Sequence, residues 1–463
     1  MKPQITCEVA PSPSVTIPNF CAYTHSRPTT SSIMGTMSKS GRAAAHLKKT
    51  VSLRHRGRVV ALAFFAVLLT VGSTVGIGYS ILQGNITKDN PEELIGTERP
   101  DLKDTEAMNI LVLGSDVRSG ASDVDGAGAA GAVSGMRADT TMIVHISADR
   151  SRVDIVSIPR DTLVDIPSCS VRNEPGSTET FDTDEQYNAM FNSAFAIGGQ
   201  TGDVGSAAAC SMKTVEAFTG IRLSGYIVVD FGSFQEIVEA LGGVPMYFEE
   251  DMYDSLAGLD VQAGCRLLNG QQALALARAR KEIGDGSDVG RISRQQDLVG
   301  AMAKEVLEMN LLTDLPKLYQ VMEAGTKSLS TSDNLGNITT LASLANSLRD
   351  INLDSIHLIT MPWDWAGSRV TIGAGADQIW EALANDTPIT VTVNEEGKVV
   401  DPNATDTADT DDPDTGNTDT DGEASDGVDT STTTTTIPAS TPPPTTPSPS
   451  TTTPICNKEN AVG

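Results

Sequence analysis

MNILVLGSD, residues 108–116, decides how the rest of the chain is read. Ile110–Leu113 is an unbroken apolar run, and Gly114, Ser115 and Asp116 close it. A run that short, ended by turn formers, is a buried strand. Just downstream, TTMIVHIS (140–147) and RVDIVSIPR (152–160) stand on either side of ADRS, the pattern of an antiparallel hairpin of two apolar strands. Further out, YIVVDF (226–231), VPMYF (244–248) and LDSIHLITMP (353–362) repeat the strand pattern. Helical stretches lie between them. One spans 206–219 with a stop at Gly220, and SFQEIVEALGG (233–243) ends in two glycines. NGQQALALARAR (269–280) opens with an Asn cap, and in 288–309 Ile292, Val299, Met302 and Val306 fall on one side. Strands alternating with helices predict one α/β domain with a mixed central sheet over residues 108–392.

Residues 59–82, VVALAFFAVLLTVGSTVGIGYSIL, carry no charge across 24 positions, enough to cross a bilayer as a helix. Lys39, Arg42, Lys48, Lys49, Arg54, Arg56 and Arg58 precede this segment with no acidic residue among them; Lys88, Asp89, Glu92 and Glu93 follow it. A basic flank marks the cytoplasmic side, so the expected topology is a single-pass cell-membrane protein (a signal-anchor), N-terminus inside, with an extracytoplasmic C-terminal domain. The competing reading, a cleaved signal peptide, fits less well because the apolar run exceeds a usual h-region. On this reading 1–58 is a disordered basic cytoplasmic segment and 83–107 a polar linker. Residues 119–135 are a flexible Gly/Ala-rich loop, and 393–463 a disordered tail, acidic and then Thr/Pro-rich. The net charge is −27, and residues 401–430 alone hold eleven acidic side chains and no Lys or Arg. Such a block is a solvated segment, and a chain without a basic footprint is not a nucleic-acid binder.

The chemistry is carried by charged residues at the ends of the apolar strands, where α/β folds place their ligand crevices. Asp116 and Arg118 follow the first strand, Arg137 and Asp139 precede the second, and Arg160 and Asp161 follow the third. Arg278 and Arg280 close one helix; Arg291, Arg294 and Gln295 open the next. Arginines gathered in an otherwise acidic chain predict an anionic ligand, because guanidinium groups match phosphate oxygens in pairs. Asp288, Arg291 and Gln295 share a helix face. Arg278 and Arg280 diverge by about 200° on a continuous helix, so either the helix ends near Arg278 or the two differ in role. Asp116 and Asp139 suit Mg²⁺, or Mn²⁺, held jointly with substrate phosphates; structural ion pairs with neighbouring arginines are the competing reading.

NILVLGSDVR, RADTTMIVHI, VSIPRDT, YNAMFNSAFAIGG, FTGIRLSGYIVVDF, EALGGVPMYF, LNGQQALALARARKE and GRISRQQDL occur in that order between 108 and 310. Together they resemble the LytR-CpsA-Psr family of wall-polymer ligases. The resemblance implies a three-layer α/β/α sandwich that buries an isoprenoid tail between sheet and helices. It implies a cell-wall transferase that moves a glycopolymer from an undecaprenyl- or other polyprenyl-pyrophosphate carrier to a peptidoglycan hydroxyl, forming a phosphodiester. Carried over residue by residue, Asp116 and Asp139 are the Mg²⁺-associated carboxylates, and Arg137, Arg160 and Asp139 the catalytic group. Arg160, Arg278, Arg280, Arg291 and Gln295 bind pyrophosphate, with Arg118 and Asn188 in matching motifs. The sequence departs from the family at Gln186, where a Lys or Arg is usual. That departure keeps a non-catalytic binding or regulatory protein for lipid-linked polymer as an alternative, beside a polyprenyl-pyrophosphate hydrolase. The base that takes the hydroxyl proton is Asp139 or Asp161.

None of the six cysteines forms a CxxC pair, which excludes a zinc ribbon or a thioredoxin motif. Among the exported ones Cys169–Cys210 is the favoured disulfide, with Cys265 either unpaired or joined to Cys456. His145 and His357 lie inside strand patterns and are expected in the core.

Overall fold

The apolar runs centred on residues 108–116 become the middle of a seven-stranded sheet in the computed structural model, which describes residues 48–101, 103, 106–116, 136–280, 288–309, 315–327, 329–394, 396–400 and 456–462. The strands are β1 (Thr87–Asp89), β2 (Met108–Ser115), β3 (Ala138–Ile146), β4 (Val153–Ser157), β5 (Gly225–Asp230), β6 (Ser330–Ser332) and β7 (Ile356–Thr360). Their order across the sheet is β1-β6-β5-β2-β3-β4-β7. β2, β3 and β4 run antiparallel in sequence, while β2–β5, β4–β7 and β1–β6 pair in parallel, so the sheet is mixed.

Period-two alternation assigns each side chain to a layer. Leu111, Leu113, Ile143 and Val156 enter one core with Phe195 of α3 (Asn192–Gly198), Ala208 and Met212 of α4 (Val204–Thr219) and Trp380 of α10 (Ala376–Ala384). Ile110, Met142, Ile146, Val153 and Ile155 enter another, with Val299 of α7 (Asp288–Leu307) and Leu344 of α9 (Ile338–Ser347) packed against it. Helices on both faces of a mixed sheet make the expected three-layer α/β/α sandwich. A further core joins α5 (Phe231–Leu241), α6 (Gly270–Arg278), α7 and the antiparallel hairpin of Val244–Phe248 with Gly264–Leu268.

The chain falls into two units, residues 1–71 and 72–463. The described part of the first belongs to α1 (Lys48–Asn85), whose stretch Arg58–Asn85 is long and apolar enough to cross a membrane. Val59, Leu62, Phe64, Val67 and Leu68 are all exposed, as a lipid-facing surface requires. The helix overruns the expected 59–82 at both ends; on the N-terminal side Lys48, Lys49, Arg54, Arg56 and Arg58 are good helix formers and continue it. The disorder expected for 1–47 and 401–455, the whole of the predicted loop 119–135 and Arg118 lie outside the described residues.

Several boundaries move. Residues 83–107 are not a simple linker: α1 runs to Asn85, β1 pairs with β6, and α2 (Glu92–Ile95) buries Leu94 and Ile95. The alternation rule missed β1 because a three-residue edge strand, Thr-Lys-Asp, has no apolar side to display. Residues 393–463 are not wholly a tail either. Thr392–Val393 pairs with Val399–Val400, and Cys456–Val462 returns to the domain through a disulfide to Cys265. β5 ends at Asp230, one residue before the expected Phe231. The Asp230 side chain accepts the Ser233 N–H at 2.7 Å and so caps α5.

Candidate active site

β2, β4, β5 and β7 end, and β3 begins, on the same edge of the sheet, and the predicted charged residues meet there. Ser115 faces Ala138 across a register shift, and Ser115 also faces Asp230 of β5. One residue on, the Asp116 N–H donates to the Arg137 carbonyl at 3.1 Å, and the Arg137 N–H donates to Asp116 Oδ1 at 2.8 Å. Asp116 and the start of β3 are therefore adjacent whatever the length of the loop between them.

Arg160 leaves β4 beside this corner. Its Nη1 donates to Asp139 Oδ1, and its Nε lies 3.6 Å from Asp161 Oδ1. Arg291, only 3% exposed, reaches the same residue from the opposite layer: its Nη2 donates to the Asp139 carbonyl oxygen at 3.0 Å. The two guanidinium groups thus hold one aspartate by side chain and main chain.

The second pair of arginines is positioned by the end of α6. An Asn269–Gln272 capping box starts this helix and Arg278 ends it. Ala279 is already extended (φ −60°, ψ 133°), which turns Arg280 out of the helical screw. Of the two readings left open, the helix stop at Arg278 is the observed one. The Arg278 guanidinium stacks over the Phe231 ring at 5.2 Å, next to the Asp230 cap. The Arg280 N–H donates to buried Asp254, while its Nε is buried without a hydrogen-bond partner among the described residues. α7 holds this turn in place: Arg294 Nη2 donates to Ala279 O at 2.7 Å and Gln295 Nε2 to Ala277 O at 2.9 Å.

The structure thus brings Asp116, Arg137, Asp139, Arg160, Arg278, Arg280, Arg291 and Gln295 to one edge. Asn188 stands apart from their bonds. It is exposed, sits in a left-handed conformation (φ 51°) on the strand Gln186–Met190, and donates its N–H to Asp165 Oδ1. Asn192 instead ties to the loop, donating its N–H to Arg160 O at 3.1 Å. Gln186 is exposed on the same strand, paired with Ile166.

Sequence reasoning missed Asp230, Asp254, Phe231 and Gln296. Asp230 follows YIVV (226–229) at a strand end, so the rule that found Asp116 would have found it. Gln296, whose amide joins Ser157 Oγ to Thr360 Oγ1, carries no sequence signal. Also missed was the buried cluster in which Arg172 binds Asp89 at 2.5 Å through both nitrogens and Asp203 at 3.2 Å. The Asp89 carboxylate raises the Arg172 pKa beyond its ordinary value.

Ile292 of the predicted α7 stripe is buried and Val299 and Met302 pack against the cores, but the inner face is wider than predicted and Val306 lies off it. Arg291, Gln295, Leu298 and Glu305 are buried, whereas Val306 is 47% exposed. Hydrogen bonds let polar residues occupy a face that an apolar count leaves blank. His145 is buried as expected. His357 is half-exposed on edge strand β7 and binds Asp154 at 2.7 Å, because an edge strand leaves one flank to solvent. The favoured disulfide Cys169–Cys210 is present, and Cys265 pairs with Cys456.

As a cation site, Asp116 and Asp139 offer two hard oxygen donors. Among the described residues no group of three His, Cys, Asp or Glu is assembled. That donor set fits an ion that takes most of its shell from phosphate and water, as Mg²⁺ does, better than a fully protein-caged ion.

Over 250 residues the chain is 29% identical to the probable cell wall biosynthesis protein LcpB of Corynebacterium glutamicum, a match covering 53% of this chain and 54% of that protein. It is 26% identical over 286 residues to the polyisoprenyl-teichoic acid–peptidoglycan teichoic acid transferase TagU of Enterococcus faecalis, covering 61% and 82%. The match thus spans about half the length of the first relative and most of the second. Among solved structures, a LytR-Csp2A-Psr enzyme from Actinomyces oris aligns with a TM-score of 0.45 at 18% identity, covering 65% of this chain and 96% of that one. Residues 79–387, well over half of the 463, match the LytR_cpsA_psr family, and the chain belongs to it.

Proposed function

We propose that this protein transfers a glycopolymer from a polyprenyl-pyrophosphate carrier to a hydroxyl of peptidoglycan, on the outer face of the membrane in which its N-terminal helix is anchored. The observation that carries the reading is the grip of Arg160 and Arg291 on one aspartate, Asp139, at an edge that also receives Arg137, Arg278 and Arg280. Guanidinium groups from the ends of β3, β4, α6 and α7 converge on this edge, and Arg280 Nε is buried there with no hydrogen-bond partner among the described residues; a diphosphate offers the matching oxygens. The name of the relative TagU, a polyisoprenyl-linked polymer transferase, points to the same donor class.

The acceptor oxygen attacks the phosphorus that carries the polymer. The bond from that phosphorus to the bridging oxygen breaks, and polyprenyl phosphate leaves. Arg160, Arg278 and Arg280 bind the phosphoryl oxygens and stabilise the charge that grows on them. Arg291, tied to the Asp139 carbonyl, holds that strand end in register. Asp139, paired with Arg160, accepts the hydroxyl proton, and Asp161 is the second carboxylate within reach of the same arginine. Asp116 and Asp139 would hold Mg²⁺ or Mn²⁺, which when bound neutralises charge on the pyrophosphate. The energy comes from the pyrophosphate bond of the donor.

The test is transfer by the full chain in detergent, from a polyprenyl-pyrophosphate oligosaccharide to a peptidoglycan fragment. Arg160→Ala is expected to lower kcat/KM by at least about 10²-fold, the range for removing one preorganised charge donor. Wild-type-like transfer by that variant would sink the proposal. Donor cleavage at equal rate with the acceptor omitted would make hydrolysis the reaction instead.

A further inference from the structure

The last described residues, Cys456–Val462, are placed where they brace both arginine-bearing helices. Cys456 is joined to Cys265. Val462 adds to the hairpin as a short third strand: its N–H donates to Cys265 O and its carbonyl accepts the Leu267 N–H, both at 3.1 Å, with a parallel bridge to Arg266. The hairpin strand so covered, Gly264–Leu268, runs directly into Asn269, the cap of α6. Between these two anchors Lys458 Nζ donates to the Leu241 carbonyl at the end of α5, at 2.7 Å, and pairs with Glu305 of α7. Glu305 is 8% exposed, so this is a partly desolvated pair, and the ammonium sits at the negative end of the α5 dipole. One end of α7 is therefore fixed by Lys458 and the other by the bond from Arg291 to Asp139. Helix geometry puts those two positions about 21 Å apart.

We propose that Cys456–Val462 is a strap whose Lys458 acts as a positioning residue, setting α6 and α7 so that Arg278 and Arg280 meet the donor diphosphate and Arg291 holds the Asp139 strand end. This rests on the function proposed above. Lys458 touches no reacting atom; it acts through the placement of three arginines. Loss of the strap would leave the sandwich folded and relax the half of the site that binds the donor.

The experiment uses the full chain in detergent with Lys458→Met, Lys458→Arg and the double variant Cys265→Ser/Cys456→Ser. Donor KM and kcat are measured separately, together with amide hydrogen exchange over 270–280 and 288–307. Lys458→Met and the double variant are expected to raise donor KM roughly tenfold, the scale of a sub-ångström misplacement. They should also speed exchange in both helices about tenfold, while Lys458→Arg, which keeps a cationic donor there, restores both. A merely structural role predicts something else: a smaller active fraction, seen as lower apparent kcat with KM unchanged. An active wild type with unchanged donor KM in Lys458→Met and the double variant overturns the strap. If the wild type shows no transfer, the function reading fails by itself, and exchange then decides the strap: unchanged rates in both helices overturn it.

Discussion

Asp139 carries two demands at once, and its environment explains how both are met. Its side chain is 29% exposed and paired with Arg160, so the pair adds only about 1 kcal/mol to folding. Asp139→Asn is therefore expected to leave thermal unfolding nearly unchanged while transfer falls by about 10²-fold or more, the usual contribution of a positioned base. A large drop in Tm with it would recast Asp139 as a structural residue. At the opposite end of the sheet a polar row crosses four strands in register: Asn109, His145, Asp154 and His357. His145 lies at 2.7 Å from Asn109 Oδ1 and 3.1 Å from Asp386 Oδ1 and is fully buried. Burial outweighs the nearby carboxylates and holds its pKa below the ordinary 6.5. Below pH 6.5 the unfolded chain then binds this proton more readily than the folded one. Stability from neutral His145 is complete above that pH, falls as pH drops from 6.5 toward the folded value, and levels off beneath it. Tm measured from pH 7.5 to 5 should decline more steeply in the wild type than in His145→Asn; equal slopes would remove His145 as the cause. Among these residues, Asp139 and Arg160 were legible from their place at strand ends. Asp386 was not, because it joins His145 from 241 positions away.

At the scale of elements, legibility follows burial chemistry. β2, β3 and β4 were readable because both faces of the sheet are covered, leaving continuous apolar runs. α7 was found and Ile292, Val299 and Met302 do face the interior, but Val306 does not, and the polar part of the inner face was missed, since Arg291, Gln295 and Glu305 are buried through bonds to distant segments that local periodicity does not contain. β1 was unreadable, yet its Asp89 is held closely between Arg172 and Gly205. A polar cavity of about 520 Å³ opens beside it, lined by Asp89, Arg172, Asp203 and Gly205 among others. Asp203 caps α4 through the Ser206 N–H, and Gly205 in the first turn leaves room for the Asp89 carboxylate. A Cβ there would overlap that carboxylate and come within 2.9 Å of Arg172 Nη1. Gly205→Ala should consequently destabilise the domain by about 1–3 kcal/mol as an overpacking change, although alanine is the better helix former. Denaturant unfolding measures this, and a variant as stable as the wild type would mean that the Asp89–Arg172 clasp can shift at no cost.

For the molecule as a whole, the sheet order was the part least open to sequence reasoning, because it depends on which distant segments become neighbours; of the disulfides, Cys169–Cys210 was favoured from the sequence, while Cys265 was left either unpaired or joined to Cys456. Cys169 and Cys210 are 41 positions apart, and Cys265 and Cys456 are 191 apart. Closing the shorter loop alone limits the unfolded chain by about 4 kcal/mol on the chain-entropy account. Two such bonds belong to an oxidising compartment, and the basic flank before the apolar helix independently predicts an N-terminus on the reducing side. The proposed orientation therefore divides the six cysteines sharply: four are oxidised outside, and Cys7 and Cys21 precede the helix. A membrane-impermeant maleimide should label no cysteine of this chain in intact cells, and Cys7 and Cys21 once the membrane is opened. Reduction before labelling should add the remaining four, from outside, without opening the membrane. Labelling of Cys7 or Cys21 in intact cells would invert the topology and put the arginine cluster on the wrong side of the bilayer for a wall polymer. Ready labelling of Cys169 or Cys265 without a reductant would instead remove the covalent frame that joins the domain's two halves to their flanking segments.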